Sequence, residues 1–173
     1  MSLPRNFPSN HEIARVSAIE VELYHGARAD LRSSFEHADD SPAEIDAYID
    51  LGEVLVVRSN QQVVGHLQLI ADGTQWEIKS LAVIDRERGQ GIGTALVRAA
   101  LSRACAASAQ RVVVATATAD VDNLRFYQRL GFRMDRIERD AFSVERGYPD
   151  DLTVDGMRVR DRVWLSLNCE NCG

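Results

Sequence analysis

No run of apolar residues in this 173-residue chain approaches the roughly 20 needed to cross a bilayer. The first ten residues hold Pro4, Arg5 and Pro8 and lack the apolar stretch of a secretory signal, so the expected compartment is the cytoplasm and no membrane partner is expected. Nor is there a surplus of positive charge: 20 Lys and Arg stand against 26 Asp and Glu, a net charge of −6. A nucleic-acid partner wants a basic face, so none is expected. A negative field instead draws cations. Cysteine is scarce, with three residues. Cys105 falls on the inner face of an expected helix, where it packs. Cys169 and Cys172 form a C-x-x-C near the C-terminus, but a zinc site needs a second ligand pair. The histidines (His11, His25, His37, His66) are scattered, so no metal is expected and the cysteine pair reads as a frayed tail. Repeats and low-complexity blocks are also missing. The length suits one domain, read here over 12–168 between a flexible 1–11 and a tail at 169–173.

What is present divides into two patterns. Residues 12–19 read as a first strand. Over 20–37, Val21, Tyr24, Ala27 or Arg28, Leu31 and Phe35 recur at helical spacing and predict a helix, weakened by Gly26. Ser41-Pro42 supplies a capping hydroxyl and a first-turn proline, and Ile45, Tyr48 and Ile49 then mark a short amphipathic helix ending near Gly52. An antiparallel meander follows: 54–57, 63–70 with Gly65 as a bulge, and 75–84. An Asp72-Gly73 turn joins the last two. The second pattern is β-α-β. Residues 94–108 form an alanine-rich helix with Leu96, Val97, Ala100, Leu101, Ala104 and Cys105 on one stripe. Residues 111–119 are β-branched and read as a buried strand. Residues 122–130 form a short helix stopped by Gly131. Strands at 132–142 and 157–167 close the sheet around a long loop, 143–156, of a kind that is often functional.

The segment Leu81-Ala82-Val83-Ile84-Asp85-Arg86-Glu87-Arg88-Gly89-Gln90-Gly91-Ile92-Gly93-Thr94 ends a strand, crosses a charged loop and opens a helix on glycines. Gly89, Gly91 and Gly93 let backbone amides approach a ligand, and a helix N-terminus favours an anion. Arg88 and Arg86 add positive charge, so the segment reads as a pyrophosphate cradle. The alternative is a glycine turn serving only tight packing. The third glycine comes one residue too early for a dinucleotide fingerprint. The loop also lacks the lysine of a nucleoside-triphosphate loop.

What remains, R-x-x-G-x-G at Arg88 to Gly93, resembles the pyrophosphate-binding motif of the GNAT superfamily of N-acetyltransferases. A second match lies about thirty residues on. Asp122-Asn123-Leu124-Arg125-Phe126-Tyr127-Gln128-Arg129-Leu130-Gly131-Phe132 resembles that family's asparagine–tyrosine–glycine–phenylalanine signature, one residue shorter between Asn123 and the tyrosine. The resemblance spans about 12–167 and is strongest over 76–133. It implies an α/β (α+β) fold: a mixed, mostly antiparallel sheet of about seven strands with splayed central strands, flanked by about four helices. It implies acetyl transfer from acetyl-coenzyme A to a primary amine by direct attack in a ternary complex.

The resemblance also assigns roles. Arg88, Gly89, Gln90, Gly91, Ile92, Gly93 and Thr94 would cradle the pyrophosphate. The backbones of Leu81, Ala82 and Val83 would pair with the pantetheine arm as an added strand, and an amide there would polarise the acetyl carbonyl. Asn123 and Phe126 would contact the cofactor, although Asn123 also suits a helix cap. Tyr127 would be the general acid. A phenol with a reference pKa of about 10 keeps its proton at neutral pH. The alternative is a core tyrosine with a satisfied hydroxyl. Glu77 would be the base, with strand alternation placing Glu77, Lys79, Leu81 and Val83 on one face. The alternative is a solvated carboxylate paired with Lys79. Acceptor recognition would fall to the N-terminal helices and the 143–156 loop through Asp39, Asp40, Glu44, Asp150, Asp151 and Tyr148. Such a wall suits a small cationic amine of polyamine or antibiotic type. A protein or peptide acceptor and a non-catalytic coenzyme A-binding module are the alternatives, and homodimers are common among relatives.

Overall fold

The computed structural model describes residues 19–169. The strand read at 12–19 lies outside these except for Ile19, and Cys172 lies outside them too. Segment 20–37 is not one helix. Glu22–Leu23 forms strand β1 at the sheet edge, a 3-10 turn covers Arg28–Leu31, and a short helix α1 spans Arg32–Glu36. The reason is local: Glu20-Val21-Glu22-Leu23 alternates with the period of a strand, and Gly26 separates it from the helical part. Helix α2, Pro42–Tyr48, starts where the Ser41 side chain accepts the Glu44 N–H at 3.3 Å.

The meander follows as β2 (Glu53–Ser59), β3 (Gln62–Asp72) and β4 (Gln75–Val83), and Gly73 takes φ +57° in the turn between the last two. Helix α3 (Ile92–Ala106) leads to β5 (Arg111–Ala117), and helix α4 (Val121–Arg129) to β6 (Arg133–Glu138). The expected long strands at 132–142 and 157–167 are shorter. Residues 143–156 hold a 3-10 turn and β7 (Thr153–Val154), which pairs with β8 (Met157–Arg158), and β9 runs over Arg162–Asn168. The seven-stranded sheet has the order β1-β2-β3-β4-β5-β9-β6. Only β4 and β5 run parallel, so the sheet is mixed and mostly antiparallel.

Two cores cover its faces. One packs Leu96, Val97, Ala100 and Ala104 of α3 against Leu67, Leu69, Ile78 and Val114. Burying each large side chain contributes about 1.5–3 kcal/mol. The other packs Phe35 of α1 and Ile45 and Tyr48 of α2 against Val54 and Val56. Gly65 borders the expected irregularity, for Val57 opposes Gly65 while Arg58 opposes Val63. It also admits α3, because a Cβ there would meet Ile92 Cγ2 at 2.9 Å.

One bulge shapes everything that follows. Gln68 opposes Ser80 and Leu69 opposes Ile78, leaving Lys79 as the extra residue of β4. A bulge bends its strand and re-aims its side chains. Beyond it β4 leaves β5: their pairing ends at Ile78–Val114, although β4 runs on to Val83 and β5 to Ala117. The centre of the sheet is thus a V-shaped gap. The bulge also corrects the facing expected from simple alternation. Ile78, Leu81 and Val83 pack on the α3 side. Ser80 is bonded to His66, and Lys79 lies over the Tyr48 ring on the α2 side. Glu77 opposes Ile70, an even number of residues from Gln68, and so shares the α2 side.

Candidate active site

The gap opens two cavities that meet. Ile84 N–H donates to Val64 O at 3.0 Å. Alternate residues of an antiparallel strand face the same neighbour, so Ala82 also bonds toward β3. The main-chain groups of Leu81 and Val83 then turn into the gap. Val83 O accepts there from Arg88 Nε at 3.1 Å. The larger cavity, about 830 Å³, runs from Leu81, Ala82 and Val83 past Arg88, Gly89 and Gly91 to Ile92, Gly93 and Thr94, with Asn123 and Phe126 opposite. The smaller, about 190 Å³, lies on the α2 side of the gap between Glu77, Lys79 and Ser80 of β4, Asp39, Asp40 and Glu44, Asn123 and Tyr127 of α4, and Tyr148. Leu81 and Asn123 line both.

The floor of the larger cavity is a helix start without a side-chain cap. Gly91 precedes α3 at φ +86°, and Ala95 makes the first helical bond, to Gly91 O. The N–H groups of Ile92, Gly93 and Thr94 therefore have no partner within the helix and border the cavity. Gly89, at φ +77°, has open space where a Cβ would stand, and a Cβ on Gly93 would lie 3.4 Å from Phe126 Cζ. The loop thus presents bare backbone to the cavity.

A family model for the acetyltransferase (GNAT) family matches residues 21–132. The chain belongs to the GNAT family of acetyltransferases. It is 28% identical over 151 residues to the N-acetyltransferase YvbK of Bacillus subtilis strain 168, covering 87% of this chain and 96% of that one. A crystal structure of a Bacillus subtilis acetyltransferase in complex with CoA is 28% identical with a TM-score of 0.78, covering 87% of this chain and 98% of that one. A GNAT acetyltransferase from Elizabethkingia anophelis with acetyl-CoA bound is 26% identical with a TM-score of 0.78, over 88% and 99% of the two chains. The protein is an enzyme of this fold.

In this acetyltransferase Tyr127 is buried between aromatic edges, 5.0 Å from the Phe126 ring and 5.6 Å from that of Phe132. Neither contact uses its hydroxyl. Burial first, and the negative charge of Asp120 next, raise that hydroxyl above the ordinary tyrosine range, so it holds its proton at neutral pH. Asn123 is not the cap of α4. Asp120 is, accepting the Asn123 N–H at 2.9 Å and its Nδ2 at 2.7 Å, which fixes the amide at the junction of the cavities. Glu77, half-buried, stands 3.6 Å from Lys79 Nζ. Across the smaller cavity, Asp39 accepts from the Tyr48 hydroxyl at 3.3 Å and from Ser41 N–H at 3.0 Å. Burial and the neighbouring Asp39 raise the Asp40 carboxyl above its ordinary value.

Several expected residues stand elsewhere. Gln90 donates its side-chain amide to Glu87 at 2.9 Å, and Arg86 pairs with Glu87 at 3.7 Å. Neither lines the larger cavity. Arg88 does, but Asp85 shares its charge at 3.1 Å. Asp150 pairs with Arg158 at 2.6 Å, away from the gap, and Asp151 is exposed outside both cavities. Cys169 is no frayed residue. Its N–H bonds to Gln110 O, and it packs on the larger core. Sequence reasoning also passed over Ser80 and the hollow beside Phe126 lined by Arg125 and Arg129. The change of apolar phase from Trp76 and Ile78 to Leu81 and Val83 was a signal for the bulge that turns Ser80 toward His66.

Proposed function

We propose that this enzyme takes acetyl-coenzyme A as donor and a small cationic primary amine as acceptor, both bound at once. The observation that carries the reading is the junction: a backbone-lined gallery opens, at Leu81 and Asn123, into a small pocket walled by Asp39, Asp40, Glu44 and Glu77. Glycine positions with no room taken by a Cβ and orphan helix amides suit a pyrophosphate. Arg125 and Arg129 border the adjoining hollow, where positive charge suits the donor's further phosphate. About 190 Å³ holds an amine head rather than a folded chain.

The donor supplies an activated thioester. Gly89, Gly91, Ile92, Gly93 and Thr94 would hold its pyrophosphate, and Leu81 and Val83 would hold its arm through main-chain bonds. The amide of Leu81, turned into the gap, would stabilise charge on the acyl oxygen. Glu77 would take the proton from the amine, and the protonated Tyr127 would give one to the departing sulfur. The carboxylates of the α2 wall would hold the acceptor's remaining positive charge.

The test is acetyl-coenzyme A-dependent thiol release against a panel of polyamines, aminoglycosides, amino acids and short peptides. Amine-dependent release, strongest with polycationic small molecules, is expected. Release with peptides alone would move the acceptor to proteins. No amine-dependent release would overturn the reading.

A further inference from the structure

Lysine is nearly absent from this protein. Lys79 is the only one in the sequence, and the other fixed positive charges are arginines. It is also the residue that the β4 bulge inserts. Lys79 shares the α2 side with Glu77, two residues before it, and the bulge brings Ser80 to that side as well. The Lys79 side chain lines the acceptor pocket with Ser80, Leu81 and Tyr127. There Nζ lies 3.6 Å from Glu77 Oε1 and 5.1 Å from the centre of the Tyr48 ring, with about a quarter of the side chain exposed, 27%. The chain thus places a primary amine of its own in contact with the carboxylate that would deprotonate an acceptor.

We propose that Lys79 is an internal acetyl acceptor: when no amine fills the pocket, its Nζ takes the acetyl group. The inference rests on the donor and pocket assigned above. Nζ starts as the ammonium of its ion pair. It gives one proton to Glu77, which passes it to water. The neutral nitrogen forms the new C–N bond as the C–S bond breaks. Its second proton leaves through solvent while Tyr127 protonates the thiolate and is itself reprotonated. The products are acetyl-Lys79 and coenzyme A, with one proton released. The acetyl amide carries no charge, so the Glu77 pair is lost and the pocket gains bulk and net negative charge. Acetylation would close the pocket to acceptors while leaving the donor gallery open. Free amine, by occupying the pocket, protects against it.

The experiment incubates the full-length protein with acetyl-coenzyme A and no amine, then reads intact mass and maps the peptides. The expected result is one acetyl group on Lys79. It is absent at that position in Lys79→Arg, slowed by excess polyamine, and slowed about 10²-fold in Tyr127→Phe, the range of a lost general acid. Thermal melts check that each variant is folded. An unmodified Lys79 in a sample that acetylates external amines overturns this inference and leaves the enzyme reading intact. Equal acetylation in wild type and in folded Tyr127→Phe overturns it as well, since it marks chemical acetylation from solution. A protein that fails to bind acetyl-coenzyme A sinks the functional reading and this inference with it.

Discussion

Acidification should destabilise this protein through one buried ring. His66 is fully buried beside Phe35, their ring centres 4.4 Å apart. Its Nδ1 lies 2.7 Å from Ser34 Oγ and its Nε2 2.8 Å from Ser80 Oγ, so it ties α1 to the pocket strand. Burial first, and the charge of His37 next, lower its pKa from 6.5 to about 3. Between those values the unfolded chain binds a proton that the folded chain refuses. Stability is therefore full above about 6.5 and falls as pH falls toward 3. From about pH 7 to about pH 5 the loss is about 2 kcal/mol, at about 1.4 kcal/mol for each unit below 6.5. This figure requires only that the folded pKa lie well under 5. Urea titrations of wild type and His66→Gln at both pH values measure it. Wild type should lose about 2 kcal/mol more than the variant. Equal losses would mean that the acid sensitivity does not come from His66.

Other consequences follow from single contacts. Ser41 caps α2 and donates to Arg146 O at 3.0 Å, pinning the 143–156 segment. Ser41→Ala should cost about 1–2 kcal/mol in chemical denaturation while leaving acetyl-coenzyme A affinity unchanged. Tyr127→Phe keeps both aromatic contacts and should lower kcat about 10²-fold with donor affinity retained. A matching loss of affinity would mean a packing role instead. Gly65→Ala puts a methyl 2.9 Å from Ile92 Cγ2 and 3.3 Å from Leu96 Cδ1. It should cost about 1–3 kcal/mol, and an unchanged melting temperature would show that α3 gives way freely.

Local chemistry made much of the fold legible. Ser41-Pro42 could only begin a helix well, and Asp72-Gly73 could only turn. The alternating glycines after Val83 marked a strand, a tight turn and a bare helix start, all of which the structure contains. Long-range register was not legible. Whether Glu77 shares a face with Leu81 depends on how β4 pairs with Gln68 and Leu69, and one extra residue reverses the answer. Asp150 resembled a pocket carboxylate in a long loop, but Arg158, brought beside it by the folding of that loop, takes its charge. Residues 20–37 mixed strand and helix periods over too few residues for either to prevail. The α2 wall was legible by charge and Tyr127 by spacing, whereas the junction between the two cavities exists only once the sheet has parted.

A donor gallery on the glycine loop that opens to the pocket should bind acetyl-coenzyme A, and calorimetric titration measures this directly. Wild type is compared with Gly91→Trp, whose fold is checked by its melt. Saturable one-site binding to wild type is expected, with a Kd on the order of micromolar, and is lost in the variant. Absence of binding to folded wild type, or equal binding to the variant, would contradict it.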